Sequence, residues 1–172
     1  MEAYLPFSQD NLWYEIWPEL ALAVGSLVVL GVNLFSKSDS KTGFSGVLAI
    51  CFQAGLLVFH LFDYLAWHHT FDRTTFSGML SQGIQGDVMR SFFLLASLLV
   101  SLIGHRYTLK HSLRIGEFHH LVMLATAGLM LLCQSSHFLM LFVALECVAL
   151  CFYALVAFNR ESAKSLEAGI KY

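Results

Sequence analysis

Apolar residues along this chain are gathered into long runs that are separated by short polar stretches. Five runs are long enough to cross a bilayer, and a sixth helical pattern opens after Asn159. As helices, the five would be about 27 to 36 Å long, which fits a hydrocarbon core of about 30 Å. The runs lack the two-residue alternation of a barrel strand. The sequence therefore predicts an all-α, polytopic transmembrane helical bundle, with complete spans at residues 16–35, 44–67, 88–107, 117–134 and 137–158.

Composition agrees with a membrane setting. Hydrophobic residues make up 57% of the chain and charged residues only 13%, and the mean hydropathy is +0.65. A soluble domain rarely has this composition. The net charge is -2, and Lys and Arg are spread among the loops rather than gathered in a patch. We therefore expect contact with a lipid bilayer and no binding of nucleic acid.

The distribution of basic residues predicts the orientation of the helices. By helix parity, seven Lys and Arg residues fall on one side of the membrane and two on the other. Basic residues are enriched in cytoplasmic loops, so the N-terminus, which has acidic but no basic residues up to Glu19, should face outward. The larger set is Lys37, Lys41, Arg106, Lys110, Arg114, Arg160 and Lys164, and the smaller set is Arg73 and Arg90.

The loops and the end of the chain bear on domain organisation. The one long hydrophilic stretch, His68 to Asp87, should be an outward loop. No repeat or linker marks a second domain, so residues 1–172 are predicted to form one transmembrane domain. The helical pattern from Ser162 to Tyr172 would span about 16 Å, roughly half a bilayer. We therefore expect the chain to be the N-terminal fragment of a longer protein.

Glu146 is the most informative single residue. It is the one Asp, Glu, Lys or Arg between Gln134 and Phe158, near the middle of the fifth span. A charge at that depth costs roughly 2.5 to 3.5 kcal/mol on insertion scales, and such residues usually serve ion or proton movement. The alternative is a protonated carboxyl group that is hydrogen-bonded to a neighbouring helix and contributes only to packing.

Glu167 and Lys171 are a second candidate pair. They are four residues apart on one helix face, with Glu on the N-terminal side, which is the better order for an ion pair. A short series of titratable groups entering the membrane suits proton transfer. The alternative is a Lys that extends toward the interface with a local partner.

Other polar residues in the spans are weaker candidates. Cys147 and Cys151 share a face without a second ligand pair, and Cys51 and Cys133 are isolated in other spans. Buried thiols are therefore expected at all four positions, rather than a metal or iron-sulfur site. The adjacent pair His119 and His120 should point to different helix faces. A proton relay and simple packing both remain open for some of these residues, namely His60, His119, His120, Gln53 and Asp63.

Three stretches near the end of the chain together form a recognisable pattern: His137–Glu146, Tyr153–Phe158 and Lys164–Tyr172. They resemble the fifth and sixth helices of one family, subunit N of proton-pumping NADH:quinone oxidoreductase (complex I). The helix-five Glu is also found in the related subunits L and M and in cation/proton antiporters. The stretch Lys164–Tyr172, in contrast, indicates subunit N. Further matches are Trp17–Leu20, Phe76–Leu80, Asp87, Arg90 and Gly116–Phe118.

The resemblance implies a part in proton translocation coupled to quinone reduction. Glu146 would pair with a Lys on a later helix, and Glu167 and Lys171 would match the acidic and basic residues of helix six. Such subunits have more helices than this chain, and their pumping lysines lie beyond Tyr172. No cofactor is expected on this chain, because NADH, FMN, iron-sulfur clusters and quinone would be handled by other subunits.

The resemblance also implies partners and a location, and it leaves three alternative functions open. Partners would be other membrane-arm subunits, including a neighbouring antiporter-like subunit, in a bacterial inner membrane. The rivals are a cation/proton antiporter subunit of the same superfamily, a non-transporting membrane assembly scaffold, and a relative that receives electrons from ferredoxin.

Overall fold

The computed structural model describes residues 13–35, 43–66, 73–111 and 113–172. After a single 3₁₀ turn at Trp13–Ile16, most of this part of the chain is α-helical. In chain order, the elements are α1 (Trp17–Phe35), α2 (Phe44–Ala66), β1 (Arg73–Thr75), β2 (Leu80–Gln82), α3 (Ile84–Lys110), α4 (Ile115–Gln134), α5 (Phe138–Val156) and α6 (Ala163–Lys171).

The prediction of five membrane-spanning helices in an all-α bundle is confirmed. Helices α1 to α5 are each long and apolar enough to cross a bilayer. The largest departure is α3, which begins at Ile84 rather than residue 88 and continues to Lys110 rather than residue 107. Asp87 was predicted to end a loop but lies in the first turn of α3, where a carboxylate interacts favourably with the helix dipole.

A short β-hairpin lies between α2 and α3 and was not predicted. Strands β1 and β2 pair antiparallel, with Thr75 opposite Leu80. The turn between them uses left-handed backbone at Phe76, Ser77 and Gly78, with φ of 54°, 55° and 82°. Ser136 N donates to Met79 O at 3.0 Å, which ties the hairpin to the junction of α4 and α5. Residues 68–72, the first part of the predicted loop, lie outside the described residues.

Helix α4 is the centre of the bundle and packs against each of the other four spans. It has the largest buried share of the five, 56%, against 17% for α5. Small residues allow close approach: a Cβ added at Gly116 would lie 2.5 Å from Asn33 Cβ of α1, and one at Gly128 would lie 2.8 Å from Val148 Cγ2 of α5. Small residues at helix contacts are typical of packing within membranes.

The apolar core is formed by α1 to α4, and it separates two ends of the bundle that carry different polar groups. We call them the Arg90 end, where α1 and α3 begin, and the His105 end, where α2 and α4 begin. The buried core cluster consists of Leu22, Val29, Ala49, Leu56, Leu94, Met123, Ala127 and Met130.

Candidate functional site

A buried ionic cluster occupies the Arg90 end. The Arg90 guanidinium bridges two carboxylates: its Nε lies 2.7 Å from Glu19 Oε1, and its Nη1 lies 3.1 Å from Asp87 Oδ1. The side chains of Arg90 and Glu19 are 5% and 2% exposed. Isolated charges at such burial would be strongly destabilising, whereas a planar guanidinium can satisfy several acceptors at once.

Two glutamines complete this cluster. Arg90 Nη2 donates to Gln134 Oε1 at 2.7 Å, and Gln134 Nε2 donates to Glu19 Oε1 at 2.5 Å. Gln82 Nε2, from the hairpin, donates to the same Gln134 oxygen at 2.8 Å. The Glu15 carbonyl accepts from Arg90 Nη2 at 2.6 Å. The cluster therefore joins α1, α3, α4 and the hairpin through one guanidinium.

The sequence interpretation missed this cluster. It counted Glu19 with the charges of the N-terminus and Arg90 among the basic residues of the outward side, although both lie inside predicted apolar runs. That position was the available signal, because an ionisable residue within a span is expected to have a partner or a function. The reasoning that singled out Glu146 applies equally to Glu19 and Arg90.

Glu146 lies at the middle of α5, as predicted, on the exposed face of that helix. The opposite face packs on α4 through three buried residues, Ala144, Val148 and Cys151. Phe142 and Leu150, one turn before and one turn after Glu146, are also exposed. Beside this surface, Leu145 and Ala149 line an open, mostly apolar groove of about 340 Å³. The described part of the chain therefore presents the Glu146 carboxylate outward rather than into the bundle of α1 to α4.

Glu167 and Lys171 form the ion pair that their spacing predicts. Their side chains are 63% and 73% exposed, so the pair by itself contributes little stability. Helix α6 packs against the C-terminal end of α5, since Ser165 Oγ donates to Val156 O at 2.9 Å and the Tyr172 ring packs edge-on against Tyr153 at 5.5 Å. Tyr153 is seven residues, or about 10 Å, along α5 from Glu146.

The histidines of α4 point to different faces, as expected. His119 is fully buried and its ring lies 5.6 Å from that of His105 on α3. His120 Nδ1 lies 3.0 Å from Ser26 O of α1. His60 Nε2, at the Arg90 end, lies 3.3 Å from Asp87 O. The three candidates His60, His119 and His120 therefore do not form one group.

The remaining candidates are resolved in part. The expectation of buried thiols is wrong for Cys51 and Cys133, which are exposed on the surface of the bundle, and correct for Cys151. Asp63 accepts a hydrogen bond of 3.4 Å from Tyr14. Within the described ranges, no three His, Cys, Asp or Glu residues are arranged to hold a metal ion.

Comparison with known proteins connects the segment that contains α5 and α6 to a family. The family described as "NADH:quinone oxidoreductase/Mrp antiporter, TM" matches residues 135–172, the segment that holds Glu146, Glu167 and Lys171. NADH-quinone oxidoreductase subunit N 1 of Opitutus terrae is 37% identical over the whole chain, which covers 34% of that relative. Over its whole length, the chain is therefore similar to subunit N of NADH-quinone oxidoreductase.

Other subunit N proteins match to a similar extent. That of Ruthia magnifica is 30% identical over all of this chain and 34% of its own length. That of Xanthomonas euvesicatoria is 36% identical over 90% of this chain and 31% of its own length. The chain therefore spans about a third of the length of the subunit N relatives it matches.

Proposed function

We propose that this chain is part of a membrane-arm subunit of NADH:quinone oxidoreductase that takes part in proton translocation coupled to quinone reduction. The observation that supports this most is the position of Glu146. It is a lone carboxylate at the middle of a membrane-length helix, on the face that does not pack against α4, within the segment that matches the antiporter family.

In this proposal, Glu146 binds and releases a proton as its electrostatic surroundings change. Loss of water around a carboxyl group favours its neutral form, and an approaching ammonium group favours the carboxylate. The exposed face of α5 leaves Glu146 accessible to such a group from another helix. The carboxyl oxygen is then the atom that holds the proton between two transfers.

Glu167 and Lys171 are proposed as a second proton-transfer step. They are ion-paired on α6, which packs against the C-terminal end of α5. A proton that arrives at Glu167 would weaken the pair and release the Lys171 ammonium. The pair can therefore change state with each proton.

The redox chemistry is assigned to other subunits of the same complex, which would hold NADH, FMN, iron-sulfur clusters and quinone. Further proposed partners are the other membrane-arm subunits, including a neighbouring antiporter-like subunit. The proposed location is a bacterial inner membrane with the N-terminus outward, because basic residues are concentrated at the His105 end.

The decisive variant is Glu146→Gln in the full-length protein within the intact complex. It retains the size of the side chain and removes the site that holds the proton. We expect fewer protons translocated per NADH oxidised, with normal assembly. Glu161→Gln is the matched control, because Glu161 lies exposed in the turn before α6. A proton yield for Glu146→Gln equal to that of the control would contradict the proposal.

Three further measurements test the role of the Glu167–Lys171 pair and two alternative functions of the chain. Lys171→Met should lower the proton yield less than Glu146→Gln does, whereas loss of assembly would favour a structural role for the pair. A cation/proton antiporter would show sodium-dependent pH changes in vesicles without NADH, and we expect none. If every intramembrane charge could be neutralised without loss of proton yield, the chain would be a scaffold.

A further inference from the structure

Helices α2 and α3 face each other along one continuous line of residues. Three contacts fix their register: His60 Nε2 lies 3.3 Å from Asp87 O, Gln53 Nε2 donates to Ser97 Oγ at 3.0 Å, and a Cβ added at Gly46 would lie 2.4 Å from His105 Nδ1. Residues three or four apart share a helix face. The line on α3 is therefore Arg90, Leu94, Ser97, Ser101 and His105, and the line on α2 is His60, Leu56, Gln53, Ala49 and Gly46.

Toward the His105 end, the facing residues of α2 and α3 include buried polar atoms that have no hydrogen-bond partner among the described residues. Gln53 Oε1, Ser101 Oγ and His105 Nδ1 are buried, and none has a hydrogen-bond partner among the residues that the structure describes. Gln53 and Ser101 are both fully buried. Buried polar atoms of native proteins are nearly always satisfied, either by protein or by ordered water.

The register places small residues beside these atoms. One helical turn from the Gln53–Ser97 contact, the next residue on α3 is Ser101 and the next on α2 is Ala49. Both are fully buried and small. A water molecule there has the Gln53 carbonyl and the Ser101 hydroxyl as partners, and the next turn brings the ring nitrogen of His105.

We propose that α2 and α3 enclose an internal water site, which is entered from the His105 end beside the His105 and His119 rings and extends to Gln53. Its ligands are Gln53 Oε1 and Ser101 Oγ. The site is separate from Glu146, which lies on the far face of α5, and it does not depend on the function proposed above.

An apolar layer closes this site on the other side. Leu94 is one turn beyond Ser97 on α3, and Leu56 is one turn beyond Gln53 on α2. Both belong to the buried core cluster, together with Met130 of α4. One turn beyond Leu94 is Arg90, with its carboxylate partners. In this proposal, Leu94 therefore separates the water site from the charged cluster.

The test is a polar substitution in that layer. Leu94→Ser would connect the water site to the cluster, and it should raise the passive proton conductance of vesicles several-fold when they contain the intact complex without substrate. Leu95→Ser is the matched control, because Leu95 is the next residue and is 48% exposed on the surface of the bundle. Equal conductance for the two variants would overturn the assignment of Leu94 as the barrier.

A second measurement uses the unmodified complex and so does not depend on whether Leu94→Ser assembles. A density map of the unmodified complex at a resolution that shows waters should contain a peak within hydrogen-bond distance of Gln53 Oε1 and Ser101 Oγ. Protein atoms that satisfy both groups, or a well-ordered region without a peak, would overturn the proposal.

Discussion

Arg90 Nε donates a 2.7 Å hydrogen bond to Glu19 Oε1 and so joins α3 to α1 across 71 residues of sequence. The same guanidinium also binds Asp87 and Gln134. Removal of one member of a buried ionic cluster leaves the others as uncompensated charges or unpaired polar groups. We infer that the packing of the whole Arg90 end depends on this one side chain.

Arg90→Met should strongly reduce stability. Glu19 and Asp87 would remain buried without a cation, at a cost of about 3 to 5 kcal/mol for breaking a buried pair. Arg114→Met is the control, because Arg114 pairs with Glu117 at 2.8 Å but is 67% exposed, and such pairs contribute about 0 to 1 kcal/mol. The measurement is the thermal unfolding midpoint of the purified complex. Equal midpoints for the two variants would contradict the assigned role of Arg90.

Gly46→Ala should loosen the contact between α2 and α3. The new methyl group would lie 2.4 Å from His105 Nδ1 and 2.7 Å from Ile115 Cγ2, so either these side chains or α2 must shift. Gly55→Ala, on the same helix, has nothing within 4 Å of the new Cβ. Ala favours a helix interior over Gly by about 1 kcal/mol, so the control should be neutral or stabilising. A lower unfolding midpoint for Gly55→Ala than for Gly46→Ala would contradict this packing.

Most of the fold could be predicted from sequence, because long apolar runs report helix length directly. Errors occur where local polarity conflicts with tertiary structure. Asp87 and Gly86 were assigned to a loop because they are polar or flexible, yet Asp87 is held in α3 by Arg90. The β-hairpin was missed because its strands are three residues each and depend on the contact with Ser135 and Ser136.

For the candidate sites too, the sequence predicts contacts within one helix but not contacts between distant segments. The spacing of Glu167 and Lys171 predicts their ion pair, because the two residues lie on one helix. The Arg90 cluster could not be assembled from sequence, because its members come from three helices and a hairpin. A pattern shows that a charge lies within a span, but its partner is set by the packing of distant segments.

The orientation can be tested by labelling. Ser77 is exposed at the tip of the hairpin at the Arg90 end, and Glu161 is exposed in the turn before α6 at the His105 end. With the N-terminus outward, an impermeant maleimide added to intact cells should label Ser77→Cys, and should label Glu161→Cys only after the membrane is opened. The unmodified protein controls for its four native cysteines. The reverse labelling pattern would show that the N-terminus faces inward.

The most direct test of the proposed role of Glu146 is infrared difference spectroscopy of the full complex before and during NADH oxidation. A carboxyl group that takes up a proton gains a C=O stretching band that the carboxylate lacks. We expect a band of this kind in the unmodified complex, and we expect it to be absent from Glu146→Gln and retained in Glu161→Gln. Identical difference spectra for the unmodified complex and Glu146→Gln would contradict a proton-transfer role for Glu146.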